Sequence, residues 1–239
     1  MQKVLEDAIS LKLKEEIVVK AAGRTDSGVH ALGMVASFQS KNEIENLQLF
    51  LISVNGIIIQ TTAAVTAIKK MPEEFHARFS CTEREYEYWI ANSRFRHPLL
   101  IGRSHWVKTR LDLELIESNI QYLLGQHFFA SFTPPATLMG KSSKREISEL
   151  RIIRSDEYSG LLKFRIRGTG FLHNMVRITV GTLIDIGRGR INNRNMREII
   201  EARDREQAGI TLPPDGLYFI RAYYEKFPEI DELYFQNRF

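Results

Sequence analysis

Cysteine is almost absent from this chain: Cys81 stands alone among 239 residues. No intramolecular disulfide can form, and a metal cluster built on several thiolates is excluded. A lone cysteine suits a reducing, cytoplasmic setting. Long apolar runs are lacking too. The best, from Phe50 to Ile59, is broken by Ser53, Asn55 and Gly56 and is half of what a membrane span requires, about 20 residues. No membrane partner is therefore expected. Glu6 and Asp7 interrupt what would be the apolar part of a secretory leader, so none is expected either. The six histidines, at 30, 76, 97, 105, 127 and 173, have no metal-binding spacing, and no metal site is expected.

What is present describes an ordinary globular protein, 44% hydrophobic and 26% charged, long enough for one large domain or two small ones. Thirty-three basic residues against 29 acidic ones give a net charge of +4. That mild excess fits an acidic partner such as RNA and fits a solvated surface equally well.

Hydrophobic periodicity gives a coarse element order. Residues 3–13 read as a helix, Ile17 to Val19 as a strand, 23–33 as a glycine-rich turn and Met34 to Phe38 as a second strand. A helix over 43–54 and a strand from Thr61 to Ile68 follow. The second half opens with a strand from Arg84 to Ala91, where Tyr86, Tyr88 and Ile90 alternate with Glu87, Trp89 and Ala91. Asp112 is placed to cap a helix that stops at Gly125, with strands at 146–153 and 161–167 beyond it. An apolar helix over 172–186, a helix over 194–203 capped by Asn193, and a strand from Leu217 to Tyr224 complete the order. Without its extra helix this half is βαββαβ, the ferredoxin-like order. The first half is the same unit without its opening strand. A duplicated α+β fold is expected, divided into residues 1–72 and 73–239.

Several segments carry chemistry. Gly23-Arg-Thr-Asp-Ser-Gly-Val-His30 lies between two expected strands, and its glycines permit a turn that presses a short carboxylate, Asp26, toward a cleft. Arg24 is near enough in sequence to meet the same substrate or phosphate. A plain turn, in which Asp26 and Ser27 bond the local backbone, explains the segment as well. A hydrolase triad of Asp26, Ser27 and His30 is the weaker alternative, because triad members come from separated parts of a chain. Phe75-His-Ala-Arg-Phe79 interleaves aromatic and basic groups, as surfaces that stack on bases do. A strand edge with two core phenylalanines is as common. Gly168 to Gly181 starts a helix with a glycine-rich turn that could hold an anion. Arg177 sits in it amid Met175, Val176, Ile178 and Val180. A charge there snorkels to solvent or pairs with a carboxylate, and Asp26 is a candidate. The basic cluster Lys141 to Arg145 is read as a loop before a strand.

Five segments resemble, in order and through nearly the whole chain, the TruA family of tRNA pseudouridine synthases. They are Gly23 to Ala31, Phe75 to Phe79, Arg84 to Tyr88, Gly170 to Arg177 with Gly181, and Gly216 to Tyr218. The resemblance implies an isomerase of uridines in the tRNA anticodon stem-loop, free of cofactors and working as a homodimer. It also implies two ferredoxin-like halves that form one extended, mostly antiparallel sheet with helices on one side. Asp26 falls on the family's catalytic aspartate and Arg24 on the arginine that assists base flipping. Tyr86 falls on the tyrosine that packs on the target base, Arg177 on the basic partner of the aspartate, and Leu217 on an apolar pocket residue. The tRNA contacts fall on Phe75, His76, Ala77, Arg78, Phe79, Arg94, Trp106 and the loop Ser142, Ser143, Lys144, Arg145 and Glu146. The chain departs from the family at its start, where a strand and a Gly-Trp-Gln loop are expected. A non-catalytic RNA-binding or chaperone-like module on the same scaffold is the rival reading.

Overall fold

The computed structural model describes residues 1–236. Its elements are α1 (Gln2–Leu13), β1 (Lys20–Ala21), β2 (His30–Ala31), β3 (Ala36–Ser37), α2 (Leu47–Ile57), β4 (Glu83–Asn92), β5 (His105–Val107), α3 (Leu113–Ile120), β6 (Gly125–Phe128), β7 (Lys144–Arg154), β8 (Leu161–Gly168), α4 (Met175–Gly187), α5 (Met196–Ala202), β9 (Leu217–Tyr223) and α6 (Glu229–Gln236). The chain forms two compact units. One comprises residues 1–24, 33–82 and 222–239, the other residues 25–32 and 83–221.

In the first unit, α1 and α2 bury Ala8, Ile9, Phe50 and Val54 around Ile17, Val19 and Ile58. Its sheet has only two strands among the described residues, β1 and β3, paired antiparallel. The strand expected at Ile17 to Val19 does not form, because α1 satisfies that backbone with side chains. Ser10 Oγ accepts from the Ile17 N–H at 3.0 Å, Glu6 accepts from Val19 at 3.1 Å, and Gln2 donates to the Val19 carbonyl at 2.9 Å. Likewise the strand expected from Thr61 to Ile68 is an extended segment without a ladder. The Asn55 side chain both donates to and accepts from the Val65 backbone at 2.8 Å, doing what a neighbouring strand would do.

The second unit holds a seven-stranded sheet in the order β2-β9-β4-β8-β7-β6, with β5 beside β4. The long pairs β4–β8, β8–β7 and β7–β6 are antiparallel, while β2–β9 and β4–β5 are short parallel pairs. The molecule is thus a mixed α+β protein with a mostly antiparallel sheet. The single extended sheet expected from the resemblance is replaced by two sheets among the described residues, because the first unit completes its backbone bonding through side chains.

Strand β4 is buried on both faces, and its two faces differ. Tyr88 and Ile90 are fully enclosed, as are Phe164 and Ile166 on β8, which lie across from Tyr88 and Tyr86. The other face carries Glu85 and Glu87, both buried, with Arg165 of β8 beside them. Arg165 Nε and Nη2 donate to Glu87 at 2.9 and 2.6 Å and approach Glu85 at 3.6 Å. The Trp89 indole donates to Glu87 at 2.8 Å. Buried carboxylates persist only where paired in this way.

Helix boundaries follow their caps. Asp112 accepts from the Leu115 N–H at the start of α3, which ends at Ile120 before a 3-10 turn rather than running on to Gly125. Helix α5 is capped by Asn195, not Asn193, because Asn195 and Glu198 bond each other's backbone N–H groups in a capping box. Strand β6 pairs with Lys144 to Ile147, so Lys144, Arg145 and Glu146 belong to β7 and not to a loop.

Candidate functional site

Residues 25–32 fold with the second unit although both flanks belong to the first. The Val29 N–H closes a turn onto the Asp26 carbonyl at 3.2 Å, and Gly28 supplies a φ of +86°. The chain then enters β2, whose His30 and Ala31 lie beside Tyr218 and Phe219, and the Leu32 N–H donates to the Phe219 carbonyl at 2.8 Å. The His30 ring stacks on Tyr218 at 4.7 Å, Tyr218 stacks on Trp89 at 4.2 Å, and Lys163 Nζ lies 4.4 Å from the Trp89 ring. This column crosses β2, β9, β4 and β8 and fixes the exit of the loop to the sheet.

Asp26 faces the start of α4. Arg177 Nη1 donates to Asp26 Oδ2 at 2.9 Å and to Asn174 Oδ1 at 2.7 Å, while Arg177 Nε donates to the Leu212 carbonyl at 2.7 Å. The arginine is therefore paired and not directed to bulk water, its side chain 15% exposed against 39% for Asp26. Asp26 Oδ1 has no hydrogen-bond partner among the described residues, and His173 Nε2 lies 4.0 Å from it.

The segment from Thr211 to Leu217 braces this arrangement. Its Leu212 N–H returns to the Arg177 carbonyl at 3.4 Å, and the Tyr88 hydroxyl donates to the Pro213 carbonyl at 2.7 Å. Gly181 on α4 allows the close approach, since a Cβ there would lie 2.1 Å from the Ile210 carbonyl oxygen. Burial pushes the Tyr88 phenol far above its ordinary range, and Asp215 adds to the effect. Tyr88 is thus a neutral donor, which its bond to Pro213 requires.

Tyr86 is buried and stands edge-on to Phe171 and Phe219, 5.1 and 5.2 Å away. Leu217 is buried at the start of β9. Asp26, Arg177, Tyr86 and Leu217 all belong to the second unit. Arg24 is exposed and belongs to the first unit, as do Phe75 to Phe79. There His76 Nδ1 accepts from the N–H groups of Arg78 and Phe79 at 3.0 and 3.2 Å, and the Tyr224 hydroxyl donates to the Ala77 carbonyl at 2.7 Å. Phe75 packs against Tyr224 and Phe227. Phe79 is 79% exposed with the Arg78 guanidinium 6.0 Å from its ring, a pairing suited to a planar, anionic partner.

Arg94 is exposed and lies over the Phe95 ring, and Arg96 lies over Trp106, whose indole donates to the Ser93 carbonyl at 3.0 Å. At the start of β7, Arg145 Nη1 donates to the Ser142 and Lys144 carbonyls, Ser143 accepts from Phe129, and burial lowers the Arg145 pKa. A cleft of about 540 Å³ lined by Arg190, Arg194, Arg205 and Asp185 includes none of the expected site residues. Among the described residues no group of His, Cys, Asp and Glu could hold a metal, and no helix is long and apolar enough to cross a membrane. Sequence reasoning missed Asn174, Tyr88 and the carbonyls of Leu212 and Pro213. Pro213-Pro-Asp-Gly216 was a turn signal. Nothing in the sequence pointed to the backbone carbonyls as acceptors.

The family model described as tRNA pseudouridine synthase matches residues 120–225. A protein of Leptospira biflexa named tRNA pseudouridine synthase A is 46% identical over 98% of this chain and 88% of its own length. Its namesake in Leptospira interrogans is 43% identical over 84% of this chain and 97% of its own. That of Acetivibrio thermocellus is 37% identical over 94% and 89%.

Proposed function

The chain belongs to the TruA family of tRNA pseudouridine synthases, which are isomerases, and we propose that it converts uridine to pseudouridine in the anticodon stem-loop of tRNA with Asp26 as its catalytic carboxylate. The observation that carries this reading is the division of labour on Asp26. One oxygen is held by Arg177, and the other is open on a side chain 39% exposed.

The reaction breaks the N1–C1′ bond, turns the uracil and joins C5 to C1′; the C5 hydrogen leaves to solvent and N1 takes up a proton, so the product has the composition of the substrate. A base stacked in a stem is unreachable until it is extruded, and Arg24 is assigned to fill the vacated space or hold a phosphate. Arg177 holds the carboxylate in place through its 2.9 Å hydrogen bond to Oδ2. Tyr86, already braced by Phe171 and Phe219, meets the flipped uracil, and Leu217 supplies apolar lining. The tRNA body is assigned to Phe75 to Phe79, to Arg94 and Trp106, and to Ser142 through Glu146. The family resemblance further assigns two ferredoxin-like halves and a homodimer, which sedimentation equilibrium tests directly.

Asp26→Asn is expected to abolish tritium release from tRNA labelled at uracil C5 while leaving tRNA binding largely intact. Near-normal release by the variant would refute the assignment. Binding without release by the unaltered chain would restore the rival reading of a non-catalytic RNA-binding module. Mapping the product positions tests the anticodon stem-loop, and pseudouridine formed only elsewhere would overturn that part.

A further inference from the structure

Among the described residues three non-glycine residues have positive φ: Lys14, Asn174 and Arg203. Lys14 and Arg203 end helices, where left-handed geometry is ordinary. Asn174 instead begins one, with φ 60° and ψ 4°. An asparagine in that place normally turns its side-chain oxygen onto the free N–H groups of the first turn, as Asn46 and Asn195 do for α2 and α5. Asn174 makes no such bond. Its Oδ1 accepts from Arg177 Nη1 at 2.7 Å instead.

The unusual backbone is held from both sides. The buried Thr133 hydroxyl donates to the His173 carbonyl at 2.9 Å, and the Asn174 carbonyl accepts from the Ile178 N–H at 2.9 Å. Backbone in a sparsely populated region persists where its surroundings over-determine it, and such positions cluster at functional sites. The result is a guanidinium fixed by three acceptors of separate origin: Leu212 on Nε, with Asn174 and Asp26 sharing the two N–H groups of Nη1. With Asn174 in place, one Nη1 proton is committed and the other points to Asp26. Without it, the guanidinium can swing and the carboxylate with it.

We propose that Asn174 is a positioning residue for uridine isomerisation, its side-chain oxygen diverted from helix capping to hold Arg177 against Asp26. The inference rests on the assignment of Asp26 and Arg177 to the reaction. A loosely held pair lowers the chemical step and not the binding of a large substrate whose contacts lie elsewhere.

Asn174→Gly tests it, because glycine adopts positive φ freely and the change removes the side chain that holds Arg177. Turnover in the tritium-release assay is expected to fall about tenfold, with KM for tRNA within about twofold and the melting temperature little changed, since relief of left-handed strain offsets the looser unfolded chain. Asn174→Asp retains an acceptor oxygen and tolerates the left-handed backbone, and is expected to recover most of the turnover. In an Arg177→Lys background, Asn174→Gly should cost nothing further. That cycle decides the matter even if Asn174→Gly melts lower, since a general loss of fold would add to the Arg177 effect. Wild-type turnover in Asn174→Gly, equal losses in the Gly and Asp variants, or additive losses in the cycle would each overturn the proposal. Normal turnover in Asp26→Asn would instead sink the site assignment beneath it.

Discussion

Gly28 leaves room for Pro214: a Cβ built on Gly28 would stand 3.1 Å from Pro214 Cγ, tighter than an ordinary contact, and Gly28 holds φ at +86°. The loop that carries Asp26 is thereby seated on the same segment whose Leu212 carbonyl orients Arg177. One short stretch of chain sets the height of both charges.

Gly28→Ala imposes left-handed strain and crowds Pro214 at once. It is expected to lower stability by about 1–2 kcal/mol, or roughly 2–8 °C in melting temperature for a chain of this size, and to reduce turnover. Differential scanning calorimetry beside the tritium assay checks both. Unchanged values would mean that the loop and Pro214 yield freely.

The paired face of β4 makes a sharper demand. Removing Arg165 takes its hydrogen-bonded cation from the buried Glu87. Arg165→Met should cost about 3–5 kcal/mol, seen as a lower urea midpoint at unchanged slope. Glu87→Gln keeps hydrogen-bonding capacity without the charge and should cost less than half of that. Equal small losses in the two variants would show that water replaces the arginine.

Alkaline stability depends on Tyr218. Burial raises its phenol from 10.0 to about 12, and its hydroxyl donates to the Arg103 carbonyl at 2.7 Å. The unfolded chain therefore loses this proton at lower pH than the folded one. The contribution is complete below pH 10, declines as pH rises above it, and is gone beyond the folded value. Tyr218→Phe should flatten the decline between pH 10 and 12 in thermal melts. An unaltered slope would assign it to other groups.

Sequence reading reached the Asp26–Arg177 pair because an arginine alone in an apolar helix either snorkels to solvent or pairs with a carboxylate, and Asp26 meets it at 2.9 Å. It placed β4, β7, β8 and β9 well, since alternation and length speak for strands of seven to eleven residues. It expected strands at 17–19 and 61–68 that do not form, because side chains of α1 and α2 stand in for neighbouring strands, a substitution that leaves the apolar pattern unchanged. Strands of two to four residues, β2, β5 and β6, carry no periodicity to read. Asn195-Met-Arg-Glu198 was a legible capping box passed over for Asn193. The αL turn at Asn174 was not legible, because an asparagine before a helix reads as an ordinary cap.

The ion pair joins residues 151 positions apart. During synthesis at about 5–20 residues per second, roughly 8–30 s therefore pass between the appearance of Asp26 and that of its arginine. Through that interval the nascent chain carries an aspartate with no counter-ion on α4 and no Leu212 carbonyl to orient one. The paired site cannot assemble on a growing polypeptide, so translation itself delays its completion until α4 and the segment after it have been made.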